Sequence, residues 1–403
     1  MFQRIKNIYH LFTAVLANIW FGFPSKKLTV IGVTGTDGKT TTVNIIYHIL
    51  KEAGFNASVI SSVGAIINGK KYDVGFHVTT PSSWMIQGFM KKASLNSNNP
   101  SFLVLEVTSH ALDQYRVWGT TFAVGALTNI THEHLDYHKT YENYVLAKAK
   151  LLNMAKSVVI NIDDNSYKFI SKIKDKILNN KITNKKWITY GKSNGDITLK
   201  NFPFETKIIG EFNKYNIMAA IGVCRQLGIG DEDIRKGINT FNLPVGREEM
   251  VYDKEFKVMV DFAHTPNALE NILSSVKPEI KGRFIHVFGS AGERDCSKRP
   301  LMGRISARYS NIIVLTSEDS RSEPVEKIME EIEKGIKDSE FKIQDDSLFK
   351  IPDRQAAIKT AIKMARKGDF VLITGKGHEK SMNLGKGEEE WSEYKAVKKA
   401  LEL

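Results

Sequence analysis

Cysteine is scarce: the 403-residue chain has two, Cys224 and Cys296. They fit no metal-ligand spacing and no disulfide framework, which argues against a disulfide-stapled secreted scaffold and favours a reducing, cytoplasmic setting. Long apolar runs are also missing. The best, "IKNIYHLFTAVLANIWFGFP", is interrupted by Asn18 and too short to cross a bilayer. Arg4 and Lys6 precede its apolar core as in a signal peptide, but no small-x-small cleavage site follows. Ile5, Ile8, Phe12, Val15 and Ile19 share one helical face, so residues 1–27 read as an amphipathic helix. Such a helix packs on the next domain or lies on a membrane, and packing is the expectation. The chain has no internal repeat and no low-complexity linker. Its net charge of +12 comes without aromatic interleaving, as in "KFISKIKDKILNNKITNKK". Solvated faces and attraction for polyanionic small substrates account for that charge without nucleic acid.

What the chain does have is an alternation of apolar runs and helical patterns. "KLTVIGV", "SFLVLEV", "FAVGALTNI" and "SVVINI" read as buried parallel strands between residues 28 and 245. Near "LPVGREEMVYD" the pattern restarts, with "KVMVDFA", "RFIHVFG", "NIIVLT" and "DFVLITG" in residues 246–403. The expected fold is α/β: a central P-loop-type mononucleotide-binding parallel-sheet domain, then a Rossmann-like α/β C-terminal domain.

"GVTGTDGKTTT" lies between the first strand and a helix carrying Val43, Ile46, Ile49 and Leu50 on one face. A standard phosphate loop would need glycine at position 33, which is Val33. Strand, glycine turn and helix N-terminus are nonetheless the three parts of an anion site. Gly35 and Gly38 admit close backbone approach, Lys39 reaches outer phosphates and Thr40 offers a hydroxyl to Mg2+. The loop is therefore read as a variant in working order. Glu106 ends a buried-type strand, the usual place for a metal-holding acid, although a lone strand-end acid is commonly just a surface group. His132, His134, Asp136 and His138 crowd one strand-end loop, with one or two of them expected to touch metal. Their spacing is not a zinc pattern; an oxygen-rich Mg2+ site suits better. Lys148 sits on a helix beginning near Tyr141, where a lone lysine is ordinarily exposed.

"GVTGTDGKTTT", "TTP", "EVTSHALDQYRV", "TNITHEHLDYH", "AKAKLL", "GEFNKYN", "VGREE", "VDFAHTP", "FGSAGERDCSKRPLMG" and "GKGHE" follow one another in the order seen in Mur ligases. Over residues 25 to 403 the chain resembles that family, most of all the MurE type, which adds the third amino acid to the UDP-linked peptidoglycan precursor. The family loop is T-G-T-x-G-K-T/S, here with Asp37 where Asn is usual. The resemblance implies an ATP-dependent, Mg2+-requiring amide ligase. Gly35, Thr36, Asp37, Gly38, Lys39, Thr40 and Thr41 would cradle the ATP phosphates. Thr40, Glu106, His134 and a Lys148 carbamylated by CO2 would hold metal. Asn213 and Asn216 would lie near adenine, with Arg247 and Asp261 approaching the nucleotide. Thr79, Thr80, Ser109 and Arg116 match muramoyl-peptide contacts. Arg294, Asp319, Arg321, Gly375 and Glu379 match contacts to the incoming amino acid, expected to be meso-diaminopimelate.

Two departures stand out. Diaminopimelate-adding members carry D-N-P-R, whereas this chain has Glu318-Asp319-Ser320-Arg321, and Asp319 is expected to add a negative charge favouring a cationic side chain. A uridine-gripping domain usually precedes the phosphate loop, and only the amphipathic helix stands there, which leaves room for a helper protein. The rival readings are a lysine-adding ligase, whose members lack the arginine at 321, a folylpolyglutamate-type ligase, opposed by "SHALDQ" and "GERD", and a silent basic scaffold, opposed by joint retention of Glu106, His134 and Lys148.

Overall fold

The structure is a computed structural model that describes residues 2–75, 79–96, 101–177, 185–341, 343 and 345–402. Residues 178–184 of the lysine-rich run lie outside the described residues. The chain divides into two compact units, one of residues 1–131 and 138–242, the other of 132–137 and 243–403.

The first unit is built on an eight-stranded sheet. In chain order its strands are β1 Thr29–Thr34, β2 Asn56–Ser61, β3 Gly64–Ile67, β4 Lys70–Tyr72, β5 Ser101–Glu106, β6 Phe122–Leu127, β7 Ala155–Asn161 and β8 Lys186–Tyr190, and their spatial order is β4-β3-β2-β5-β1-β6-β7-β8. All pairings are parallel except those of β3 with β2 and with β4. β1 and β5 are buried almost throughout, as strands covered on both faces must be. Because β1 lies between β5 and β6, Gly35, Val107 and Thr128 leave the sheet side by side at its carboxyl edge, where open α/β sheets place their ligands. Helix α2, Lys39–Glu52, buries Val43, Ile46, Ile49 and Leu50, as their spacing predicts.

The second unit carries β9 Glu249–Asp253, β10 Lys257–Asp261, β11 Phe284–Phe288, β12 Ile312–Leu315, β13 Leu348–Lys350 and β14 Phe370–Thr374, in the order β13-β12-β11-β14-β10-β9. Within this six-stranded sheet only β9 runs antiparallel. The loops after β10, β11, β12 and β14 therefore leave one edge together.

The N-terminal helix α1, Phe2–Phe21, corrects an expectation. It packs on the first unit with the face bearing Ala14, Ala17 and Asn18, all fully buried. Asn18 donates from Nδ2 to the carbonyls of Ala14 (2.9 Å) and Trp118 (2.7 Å). The stripe expected to pack, with Ile5, Ile8, Phe12 and Ile19, points outward. Small residues permit the closer approach, so they take the protein side. No helix among the described residues is long and apolar enough to cross a membrane.

Candidate active site

The phosphate loop is a rigid turn clamped by the end of β6. Gly35 (φ 153°) and Gly38 (φ 80°) occupy backbone regions that side chains avoid. A Cβ at 35 would stand 1.8 Å from Thr128 Oγ1, and one at 38 would stand 2.1 Å from Asn216 Oδ1. The Asp37 N–H donates to Asn129 Oδ1 at 2.9 Å, and Thr128 Oγ1 donates to the Asp37 carbonyl at 2.7 Å. Thr36 donates its N–H to the Asn129 carbonyl at 2.8 Å. Lys39 curls over the loop, with Nζ 2.7 Å from the Thr36 carbonyl. Thr41, one residue further into α2, is buried.

Glu106 is 1% exposed at the end of β5. The Thr40 hydroxyl lies 3.0 Å from each of its carboxylate oxygens, and the Ser62 N–H donates to one of them at 3.0 Å. A carboxylate and a hydroxyl held together at a helix N-terminus form a hard-oxygen pair suited to Mg2+. Among the described residues no group of three His, Cys, Asp or Glu could hold a metal. Any Mg2+ here would therefore draw its remaining ligands from nucleotide phosphate, water or a modified side chain.

Lys148 is 2% exposed, contrary to the default for a helical lysine. Thr140 caps its helix, Tyr141–Met154, accepting from the Asn143 N–H. Its Nζ donates to the Gly35 carbonyl at 2.6 Å and stands 4.4 Å from the Tyr144 ring centroid. Tyr144 in turn meets the Thr36 hydroxyl at 3.1 Å. Lys148 and the phosphate loop are thus in direct contact. On the helix Glu211–Gln226, Asn213 accepts from Asn216 Nδ2 at 3.0 Å, and the two are buried beside Gly38.

The candidate peptide-binding residues also interlock. Thr80 accepts the Thr108 N–H at 2.9 Å and donates to the Glu106 carbonyl at 3.0 Å. Arg116 donates from Nη1 to the Thr80 carbonyl at 2.8 Å and is braced by Gln114 Oε1. Thr79 is half-buried next to Thr80. Ser109 bonds His138 Nε2 at 3.0 Å. Burial pushes the His138 pKa down to about 4, helped by the charges of His110 and Lys148.

The four ligand-type residues after β6 are divided between the two units. His138 belongs to the first unit, while His132, His134 and Asp136 belong to the second. His132 meets Ser297 Oγ at 2.9 Å, and His134 Nδ1 lies 3.8 Å from Glu133 Oε1. His134 has a positive φ of 56°.

In the second unit, Asp261 ends β10, and burial raises its pKa against the opposing charge of Arg247. Its carboxylate accepts from the N–H groups of Glu248 and Ala263. The Arg247 guanidinium stacks 4.6 Å from the Phe262 ring. Arg294 and Arg321 are neighbours: desolvation and then the charge of Arg321 lower the Arg294 pKa, opposed by Asp136, Glu133 and Asp319. Arg321 Nη1 donates to the Gly292 carbonyl. Asp319 is paired within its own unit. Both its oxygens accept from buried Lys376 Nζ at 2.9 Å, and Oδ1 also takes the Asn383 N–H. Lys376 reaches Glu379 as well, at 2.5 Å. Gly375 (φ 109°) lets the strand end pass Glu318, since a Cβ there would lie 2.7 Å from Glu318 Oε2. Sequence reasoning missed Ser62, Thr128, Asn129 and Lys376. The last three stand within quoted motifs, while Ser62 follows a strand that gave no signal.

Residues 33–224 match the Mur ligase middle domain and residues 246–377 the Mur ligase, glutamate ligase domain. The UDP-N-acetylmuramoyl-L-alanyl-D-glutamate–2,6-diaminopimelate ligase of Aquifex aeolicus (strain VF5) is 40% identical over 406 aligned positions, covering 96% of this chain and 80% of that protein. A solved structure of a ligase of that name is 28% identical with TM-score 0.58, covering 93% of this chain and 78% of the other. A bifunctional folylpolyglutamate synthase/dihydrofolate synthase with Mn, AMPPNP and L-glutamate bound has TM-score 0.71 over 98% of this chain and 94% of its own, but at 17% identity the likeness is one of fold alone. The chain belongs to the Mur ligase family of ATP-dependent, ADP-forming amide ligases.

Proposed function

We propose that this chain adds meso-diaminopimelate to a muramoyl-L-alanyl-D-glutamate precursor of peptidoglycan, in the cytoplasm, by way of an acyl phosphate. The observation that carries the reading is the contact of one glycine loop with Lys148 on one side and, through Thr40, with Glu106 on the other. The relatives' names supply the substrates. Residues 28–245 would form the ATP-binding domain and 246–403 the C-terminal domain.

Each residue has a chemical task. The N–H groups at the start of α2 and the Lys39 ammonium would hold the ATP phosphates. Gly35 and Gly38 keep side chains out of that cradle, and Asn213 and Asn216 would flank adenine. Thr40, Glu106 and carbamylated Lys148 would hold Mg2+, which offsets the negative charge gathering on phosphate. Thr79, Thr80, Ser109 and Arg116 would seat the muramoyl peptide so that its carboxylate attacks the γ-phosphate, releasing ADP. The amine of the incoming amino acid then attacks the acyl carbon and inorganic phosphate leaves. Arg294 and Arg321 would grip the distal carboxylate and Glu379 the distal ammonium. Because Lys376 matches the Asp319 charge, Asp319 would fix that strand-end geometry and leave selection to the two arginines.

The test is phosphate release and product mass with ATP, the UDP-linked dipeptide, and either meso-diaminopimelate or L-lysine. Preference for meso-diaminopimelate in kcat/KM is expected; preference for lysine overturns the amino-acid assignment. No amide product with either overturns the ligase reading.

A further inference from the structure

We infer that the outward face of α1 is a docking surface for an anionic lipid bilayer. Ile5, Ile8, Tyr9, Phe12, Ile19 and Trp20 are each 60–76% exposed on one side of the helix, opposite Ala14, Ala17 and Asn18. Single exposed apolar residues are ordinary, but a continuous stripe of six marks an interaction site. The helix is anchored as a fixed platform, with Asn18 bonded to the Trp118 carbonyl and Ser25 Oγ to the Gly119 carbonyl. Trp84, on the helix α3 (Ser83–Ala93), extends the stripe, its ring 6.4 Å from that of Trp20.

Charge selects the occupant. The first acidic residue of the chain is Asp37, and none occurs between Asp73 and Glu106. The segments that build the surface therefore carry cations alone: Lys6 on α1, Lys26 and Lys27 just after it, Lys91 and Lys92 at the end of α3, all exposed. Asp113, beneath α1, is engaged by Asn7 and Lys150 on the protein side. An apolar stripe with tryptophans and a rim of lysines, free of acids, matches a bilayer interface with anionic headgroups.

The test is co-sedimentation of the full chain with vesicles of phosphatidylcholine alone or mixed with phosphatidylglycerol. Binding to the anionic vesicles is expected, weakening as salt rises. The double variant Ile8→Glu/Phe12→Glu should weaken it at least about tenfold, since charge replaces inserted apolar area. Both positions are exposed, and an unchanged melting curve will show that the variant folds. Lys26→Glu/Lys27→Glu should weaken binding to anionic vesicles selectively. Failure to sediment with either vesicle, or binding that both variants retain, overturns the proposal. A concentration-dependent dimer in light scattering that the double variant abolishes assigns the face to a second copy and equally overturns it. The readout needs no turnover, so it is independent of the ligase reading.

Discussion

Lys148 is the residue on which chemistry and packing can be separated. As an ammonium it satisfies the Gly35 carbonyl; as a carbamate it would become an anion fit for a hard cation. Lys148→Arg keeps the positive charge but cannot carry CO2 in this way, and Lys148→Ala removes both. Both variants should lose turnover by roughly 10²–10³-fold, the range found when one preorganised group is taken from a transition-state site. Native mass spectrometry should find one added CO2 on the wild-type chain alone, and full activity in the arginine variant would refute the carbamate. Two buried histidines predict acid sensitivity. Burial holds His138 to about 4 and His286 to about 3, against an ordinary 6.5. Between those values the unfolded chain binds more protons than the folded one, so stability is full above about pH 6.5 and falls as the pH drops toward 4. Urea midpoints followed across that range should decline, and His138→Asn should lessen the slope; a flat profile contradicts it.

Among the elements, the phosphate loop is the least tolerant. Gly38→Ala combines an unfavourable φ with a collision at Asn216, so it should cost about 1–3 kcal/mol and shift the very asparagine proposed to flank adenine. The check is thermal melting with and without an ATP analogue: a lower Tm and a smaller ligand-induced rise are expected. Most strands that end at the candidate site were legible in the sequence, but β2, which leads into Ser62, was not. β1, β5, β6, β7, β10, β11, β12 and β14 are largely buried and show as mainly apolar runs. β4 (Lys-Lys-Tyr), β8 and β9 lie nearer the surface, are short or mixed in composition, and escaped notice. The burial of Lys148 was illegible for another reason, since the carbonyl that holds it is 113 residues away in sequence. On α1 the stripe was found but its direction was not: hydrophobic spacing marks a face without saying what covers it.

On the scale of the whole molecule, strand ends that are distant in sequence are tied together by buried charge. The Asp319–Lys376–Glu379 chain joins the loops after β12 and β14. Asp319→Asn would restore the amide usual in diaminopimelate-adding relatives but leave Lys376 with Glu379 as its remaining carboxylate partner in this chain of contacts. A loss of about 1–3 kcal/mol is expected from weakening a buried charge pair, with the preference for meso-diaminopimelate over lysine little changed. A large swing in that preference would show Asp319 reading the substrate directly.

The polypeptide passes between the two units three times: after Thr131, after Tyr137 and after Asn242. Cleavage at the last crossing would release residues 1–242 and 243–403 as separate chains, neither of them matching one unit, so dissection at one site cannot yield two complete pieces. A fragment starting at residue 243 lacks a hexapeptide of its own unit. During synthesis, residues 132–137 leave the ribosome more than a hundred positions before the remainder of their unit. At about 5–20 residues per second that hexapeptide waits for at least several seconds before its companions exist. The first unit can mature meanwhile, whereas the second is complete only once residues 243–403 have joined that hexapeptide.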